Sequence, residues 1–516
     1  MAEAEAGAAR VPGREASLVE RPLSFSFRVP AMLVVLAAGL AVRLLLATFP
    51  GFGIDVGTFQ AWSFQLADRG PWNFYDTDSF TDYSPGYLYL LWAIGELHQI
   101  FHFTNGQYEY ILKLPSIVAD LASAYLLYRV LEGQKEGVRV GASLAYLLFP
   151  ATLFIGPIWG QVDSLLAFFL LLSVYFIGRD RPVPGAIAFV VAFLVKPQAI
   201  AALPFLAFWI LKRNPPRWVP PAPGSLILAG LVLFGLGIAV SLWRYLQDDR
   251  GSTLTLALSM IAAGLALLAI GNLLLPREPE AGKHKDRPTR SLLPVPPEAW
   301  YVAFMVPALI LLLAILPFFA PKPWEFLDQL EFSASYYKYA SFHAYNFWST
   351  FAYLEADNIE YLGLSYQIWG YLLFALSTAF VLYSFRQAEG MGALALGTAL
   401  CILVFYLFVT RMHERYLFPA FLPLLAACVI YNNRWLWGVF LGLGLIHSLN
   451  LYHAYAEFND NHVRVDWMYD WLQDQSAFGL GLTTVEFLSV LMVAMLPPIL
   501  ALAYAFGERP RSSEVT

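Results

Sequence analysis

Apolar runs close to twenty residues long recur along most of this 516-residue chain, and they limit the fold more than any other feature. A run of that length crosses a bilayer as an α-helix, because lipid offers no partner for the backbone and each segment must satisfy its own N–H and C=O groups. Composition agrees: 58% of the residues are hydrophobic and 14% charged, against roughly 25% charged in soluble domains. The fold class read from this pattern is an all-α polytopic membrane protein. Candidate spans are 31–49, 114–131, 140–158, 163–178, 183–195, 198–211, 223–243, 253–275, 301–319, 367–384, 391–410, 416–431, 436–454 and 485–506, about fourteen by the length rule. The net charge of -6 gives no reason to expect a nucleic-acid partner. Cys401 and Cys428 both lie in apolar runs and suggest no disulfide framework. Residues 1–28 read as a disordered tail without a cleavable signal, since the first apolar run starts near Val29 and is long enough to span. Residues 511–516 form a second short tail.

Basic residues orient the spans. Loops with Lys135 and Arg139, Arg179 and Arg181, Lys212 with Arg213 and Arg217, Lys283 to Arg290, Arg386, and Arg434 are all expected on the cytoplasmic side, with both termini. This alternation holds only if the apolar stretch 84–103, which carries Glu96, His98 and His102, does not cross. Pro85 opens it as a helix start, and it reads as an interfacial or re-entrant helix on the outer side. The outer surface then holds the long loops 50–113, 320–366 and 456–484, and short tips near 160–163, 196–198 and 411–415. Residues 276–298 are a Pro-rich, charged linker. No internal repeat is found, which counts against repeat-built transporters.

Polar groups at membrane depth are expensive and ask for a reason. Asp55 lies just past the first span, in Gly53-Ile54-Asp55-Val56-Gly57-Thr58-Phe59-Gln60-Ala61-Trp62. Trp159-Gly160-Gln161-Val162-Asp163-Ser164 joins two apolar helices, and Val195-Lys196-Pro197-Gln198 interrupts a third run. Arg411-Met412-His413-Glu414-Arg415-Tyr416 sits between two more, Asp82-Tyr83-Ser84-Pro85 opens the interfacial helix, and Tyr345-Asn346-Phe347-Trp348 lies in loop 320–366. Each has a plainer reading. Lys196 or Arg415 alone is as well explained by a charge reaching for the interface. Asp163 is as well explained as a helix-terminus partner, and a lone His413 is more often structural. The Asp76-Thr77-Asp78 pair is more often solvated than a ligand set. Asp466, Asp470 and Asp474, with Trp467 and Trp471, fit an interfacial helix in an aromatic belt. Convergence of these interruptions on one membrane face shifts the balance toward a shared function.

That set fits transfer of a sugar from a lipid phosphate. Such a donor stays in the bilayer, since each buried CH₂ contributes roughly 0.8 kcal/mol. The acceptor hydroxyl needs a general base, which suits Asp55. The phosphate leaving group needs cations, which suits Lys196, Arg411, His413 and Arg415. No glycine-rich phosphate loop, nucleotide-binding domain or zinc motif appears, so a nucleotide-sugar donor is not expected and no metal or other cofactor is called for.

At these residues the chain resembles the GT-C superfamily of multi-spanning glycosyltransferases. The pattern is most similar to the dolichyl-phosphate-glucose-dependent glucosyltransferases of lipid-linked oligosaccharide assembly. It is also similar to prokaryotic proteins related to the second mannosyltransferase of GPI-anchor synthesis. The resemblance covers about 50–202 and the stretch around 411–419. It rests on Asp55 with Trp62, Asp82-Tyr83-Ser84-Pro85, Ile117-Val118-Ala119-Asp120, the tip from Trp159 to Ser164, Lys196-Pro197-Gln198 and His413-Glu414-Arg415. Ser84, Trp159 and Arg415 stand where the family has proline, histidine and lysine. The resemblance implies a GT-C fold with interfacial helices in loop 50–113, and a catalytic module over 29–215 followed by a C-terminal transmembrane module over 216–510. It also implies that Asp55 is the base of an inverting transfer and that the His413 region contacts donor phosphate. Sugar and acceptor binding is then expected from Trp62, Asp82, Tyr83, Gln161, Asp163, Gln198, Asn346, Trp348 and Glu414. The expected donor is a polyprenyl-phosphate mannose or glucose. The acceptor is a glycolipid, a lipid-linked glycan or a protein, at the extracytoplasmic face of a prokaryotic plasma membrane, or of the ER membrane in a eukaryote. Two rival readings remain: a flippase or transporter of lipid-linked sugars, which needs no base, and a protein O-mannosyltransferase, disfavoured because Val56 and not an acid follows Asp55.

Overall fold

A computed structural model describes residues 30–72, 74–75, 80–213, 302–459, 463–479 and 481–507. The two tails, the expected spans 223–243 and 253–275, the linker 276–298, Arg217, the Lys283 to Arg290 loop and the Asp76–Asp78 pair lie outside the described residues. The chain is all-α. Its only strands among the described residues are four two-residue pieces: β1 Ser341–Phe342, β2 Glu360–Tyr361, β3 Leu364–Ser365 and β4 Met412–His413.

The first half runs α1 Ala31–Leu46, α2 Gly53–Arg69, α3 Pro85–Phe101, α4 Asn105–Val130, α5 Glu136–Leu147, α6 Pro150–Leu153, α7 Asp163–Gly178, α8 Pro182–Val195 and α9 Leu203–Arg213. The second half holds α10 Val302–Phe319, α11 Glu325–Ser335, α12 Tyr366–Ser384, α13 Met391–Phe408, α14 Phe418–Tyr431, α15 Arg434–Phe458, α16 Asp466–Leu472, α17 Thr484–Ala494 and α18 Leu496–Gly507. Five described helices are long and apolar enough to cross a membrane: α4, α12, α13, α15 and the joined pair α17–α18. A sixth is counted if α5 and the segment 150–159, bent by 54°, form one span. Several shorter apolar helices accompany them. The chain is thus an integral membrane protein. The expected count of about fourteen is not reached among the described residues. Part of the shortfall is local chemistry: Pro150 and Pro157 each lack an N–H, so the run expected as one span over 140–158 breaks.

Loop 50–113 holds two helices, α2 and α3, neither of which is among the helices long and apolar enough to span, and its last residues from Asn105 already belong to α4. They cross closely at Gly95, where a Cβ would lie 2.2 Å from the Ser63 carbonyl oxygen. Pro85 sits in the first turn of α3, where its fixed φ is already helical. A capping box between Thr104 and Gln107 starts α4.

An ion pair inside the bundle fixes α1, α4 and α5 to one another. Arg43 and Asp120 are fully buried, and Arg43 Nε donates to Asp120 Oδ2 at 2.9 Å. One N–H of each terminal guanidinium nitrogen reaches a carbonyl, Leu147 at 3.1 Å and Gly39 at 3.3 Å, and the Tyr146 hydroxyl donates to Asp120 Oδ1 at 3.3 Å. Every oxygen of this carboxylate is used. β1 pairs parallel with β4, which ties loop 320–366 to the tip at 411–415.

Candidate active site

Asp55 occupies the first turn of α2, where the helix N-terminus favours a negative charge. It is half-exposed. Its partners arrive from the tip between α6 and α7. After Leu153 the backbone widens into a π-turn over Phe154–Trp159 that contains Pro157. It then turns at Gly160 with φ +90°, a left-handed conformation natural to glycine. This turn points two donors at one oxygen. Trp159 Nε1 donates to Asp55 Oδ2 at 2.7 Å, and Gln161 Nε2 donates to the same atom. Oδ1 receives no hydrogen bond among the described residues. Trp159 is itself held by stacking on Phe52, centroids 4.7 Å apart, and by its carbonyl, which accepts from Phe52 N–H at 2.8 Å.

Gln161, fully buried, joins the acid to the second tip. Its Oε1 accepts from the Tyr83 hydroxyl at 2.9 Å and from Lys196 Nζ at 3.1 Å. Lys196 sits in the extended break after α8 and also donates to Asp163 Oδ2 at 2.9 Å, while Gln198 Nε2 donates to Asp163 Oδ1 at 3.1 Å. Burial lowers the Lys196 pKa, and Asp163 works against that fall. Two of the three ammonium N–H bonds are therefore committed inside the protein.

Arg415 comes from the third tip. One guanidinium nitrogen bonds Glu414 at 2.6 Å, and the group lies over the Trp159 ring at 5.9 Å. Its Nε is buried with no hydrogen-bond partner among the described residues, a costly state unless a ligand completes it. Asp82 lies in the same field: burial raises its carboxyl from 3.8 to about 6, Arg415 opposes that rise and Asp55 adds to it. His413 is buried, with the edges of Tyr337 and Phe342 near its ring at 4.8 and 5.0 Å. Burial, with Arg415 and Lys196, pushes its pKa well below 6.5.

The structure thus brings together Asp55, Asp82, Tyr83, Gln161, Asp163, Lys196, Gln198, His413, Glu414 and Arg415. Trp62 is nearby but fully packed: its indole N–H donates to the Phe80 carbonyl at 2.8 Å and its ring supports Tyr83. Three expected site residues are placed elsewhere. Arg411 pairs with Asp357 at 2.6 Å and with the Ala334 carbonyl at 3.0 Å. Asn346 donates to the Tyr406 carbonyl at 3.2 Å and accepts from the backbone of Trp348 and Ser349. Trp348 Nε1 donates to the Phe408 carbonyl at 2.6 Å. These donors are satisfied by main chain or by a carboxylate; Asn346 and Trp348 hold loop 320–366 against α13, and Arg411 holds it to the 411–415 tip. Trp159 also belongs to this cluster, though the sequence marks it only as part of its tip; an indole two residues before Gln161 on a glycine turn is the available signal. A surface cleft of about 460 Å³ lies apart from this cluster, between α2 and α3, lined by Gln65, Asp68, Arg69 and His98 among others. Among the described residues no group of three or more His, Cys, Asp or Glu side chains is arranged to hold a metal.

No protein-family model matches the chain, and no curated protein matches it.

Proposed function

We propose that the chain is an inverting glycosyltransferase that moves a hexose from a polyprenyl phosphate to a hydroxyl acceptor at the extracytoplasmic membrane face. The observation that carries this reading is the pairing of two unsatisfied groups in one cluster. Asp55 is held through one oxygen with the other open, and Arg415 has a buried donor with no partner. Asp55 Oδ1 takes the proton of the acceptor hydroxyl. The acceptor oxygen attacks the anomeric carbon from the face opposite the phosphate. The bond from that carbon to the phosphate oxygen breaks, and its electron pair leaves on the polyprenyl phosphate. Arg415 stabilises the extra negative charge, an electrostatic role for which a preorganised cation is suited. His413 supplies a neutral ring N–H beside it.

The resemblance to GT-C enzymes, the alternation of basic loops and the shape of loop 50–113 support the same reading. Under it the sugar is mannose or glucose, the acceptor a glycolipid, a lipid-linked glycan or a protein, and both termini are cytoplasmic. The test is transfer of labelled hexose from polyprenyl-phosphate mannose or glucose by the purified protein in lipid nanodiscs. Transfer that depends on Asp55 supports the reading. Movement of the lipid-linked sugar across the bilayer without any transfer would favour a flippase instead.

A further inference from the structure

We infer that Trp159 and Gln161 are positioning residues that decide which oxygen of Asp55 works as the base, an inference that rests on the glycosyltransferase reading. A free carboxylate on a surface helix rotates between two equivalent oxygens. Here both donors converge on Oδ2, one from an indole at 2.7 Å and one from an amide. Rotation about the side chain would break both. The amide cannot turn over either, because its carbonyl end is held by the Tyr83 hydroxyl and by Lys196. Lys196 is fixed in turn by Asp163, and Asp163 by Gln198. The indole is locked by Phe52 on one side and meets Tyr455 edge-on, centroids 5.7 Å apart, on another. A chain of side chains from two tips and Tyr83 therefore ends on one atom, and leaves Oδ1 as the single open proton acceptor among the described residues.

This gives Lys196, Asp163 and Gln198 a different task from contact with phosphate or sugar. They set the orientation of Gln161, and through it the direction of the base. The charged and titratable groups that share the field of Asp55 are Asp82, Tyr83, Tyr87, Lys196, Tyr337 and Arg415. Only Trp159 and Gln161 donate to its carboxylate among the described residues.

The test separates orientation from folding and from donor binding. Trp159→Phe removes one donor and keeps an aromatic ring for Phe52. Gln161→Met removes the other without placing a second carboxylate beside Asp55. Trp159→His restores a ring N–H. Transfer from polyprenyl-phosphate hexose is measured beside the wild type in nanodiscs, with kcat and donor KM separated. The expected result for the first two variants is a fall in kcat of about 10- to 100-fold, the size of one hydrogen bond to a charged group, with donor KM held within about twofold. Trp159→His is expected to retain more kcat than Trp159→Phe. Wild-type kcat in either donor-deleting variant, a loss confined to KM, or a histidine variant no better than phenylalanine would overturn this inference alone. Absence of transfer by the wild type would overturn the glycosyltransferase reading and this inference with it.

Discussion

Asp55 and Asp120 are two carboxylates in the first half of the chain, each held by a ring-bearing donor and a second polar side chain, and they differ in what is left over. Asp120 is sealed among α1, α4 and α5, with Arg43 on one oxygen and Tyr146 on the other. Asp55 is half-exposed, has no cation bonded to it among the described residues, and keeps one oxygen open. The same contrast separates the cations. Arg43 has its guanidinium bonded to a carboxylate and two carbonyls, whereas Arg415 keeps a buried Nε without a partner. Burial and charge alone therefore do not mark a working residue in a membrane protein. Under the proposed function the difference is saturation: Asp120 is bonded through both oxygens and holds the fold, while Asp55 Oδ1 and Arg415 Nε are left for a ligand.

Substitution at both acids is the strongest way to break this comparison. Asp55→Asn is expected to lower transfer by roughly 10²- to 10⁴-fold, the usual size of a general-base contribution, with thermal stability close to wild type. Asp120→Asn leaves Arg43 buried without its counter-charge, a change that costs about 3–5 kcal/mol. It is expected to lower the midpoint of thermal unfolding and the yield of folded protein, while the folded fraction keeps its transfer rate. Stability and rate measured on the same preparations check both. A stable, active Asp120→Asn together with an unstable Asp55→Asn would reverse the assignment.

Arginine at 415 against arginine at 411 sharpens it. Arg415→Ala is expected to raise the donor KM by roughly 10- to 100-fold, since a charge-assisted bond to a phosphate is worth about 1.5–3 kcal/mol. Arg411→Ala removes the partner of Asp357 and is expected to lower stability and leave donor KM near wild type. Titration of transfer with polyprenyl-phosphate hexose reads the first, and thermal unfolding the second.

The smallest effect concerns pH. The fold raises the Asp82 carboxyl from 3.8 to about 6, chiefly by burial. The native state thus favours the protonated acid. The stability this confers is complete below the unfolded value of 3.8 and is lost as pH rises through about 6. Asp82→Asn, always neutral, is expected to flatten the fall in unfolding temperature across that window. An unchanged slope would remove Asp82 from the field of Asp55 and Arg415.

Much of the cluster was legible because polar residues that interrupt apolar runs have few reasons to be there. Asp55, Gln161, Asp163, Lys196 and Arg415 all stood out on that ground, and α2 and α3 were expected as the helices of loop 50–113. What the chain did not show in one dimension was which polar group would be satisfied by its neighbours. Arg411 and Arg415 look alike in sequence, and only the fold places Asp357 beside the first. Asn346 and Trp348 are expected as sugar or acceptor contacts from their place in a long loop, yet main-chain carbonyls of α13 and the backbone of their own turn take up their hydrogen bonds. Hydropathy does not show where a run bends, as at Pro150, because it is blind to a missing N–H.

The most direct measurement of the central claim is a structure of the protein in a lipid nanodisc with a non-hydrolysable polyprenyl-phosphate-sugar analogue. The expected result is the phosphate within hydrogen-bond distance of Arg415 Nε, and the anomeric carbon on the side of Asp55 that carries Oδ1, with Oδ2 still bonded to Trp159 and Gln161. A phosphate bound on the opposite membrane face from Asp55, or one that leaves Arg415 Nε without a partner, would contradict it.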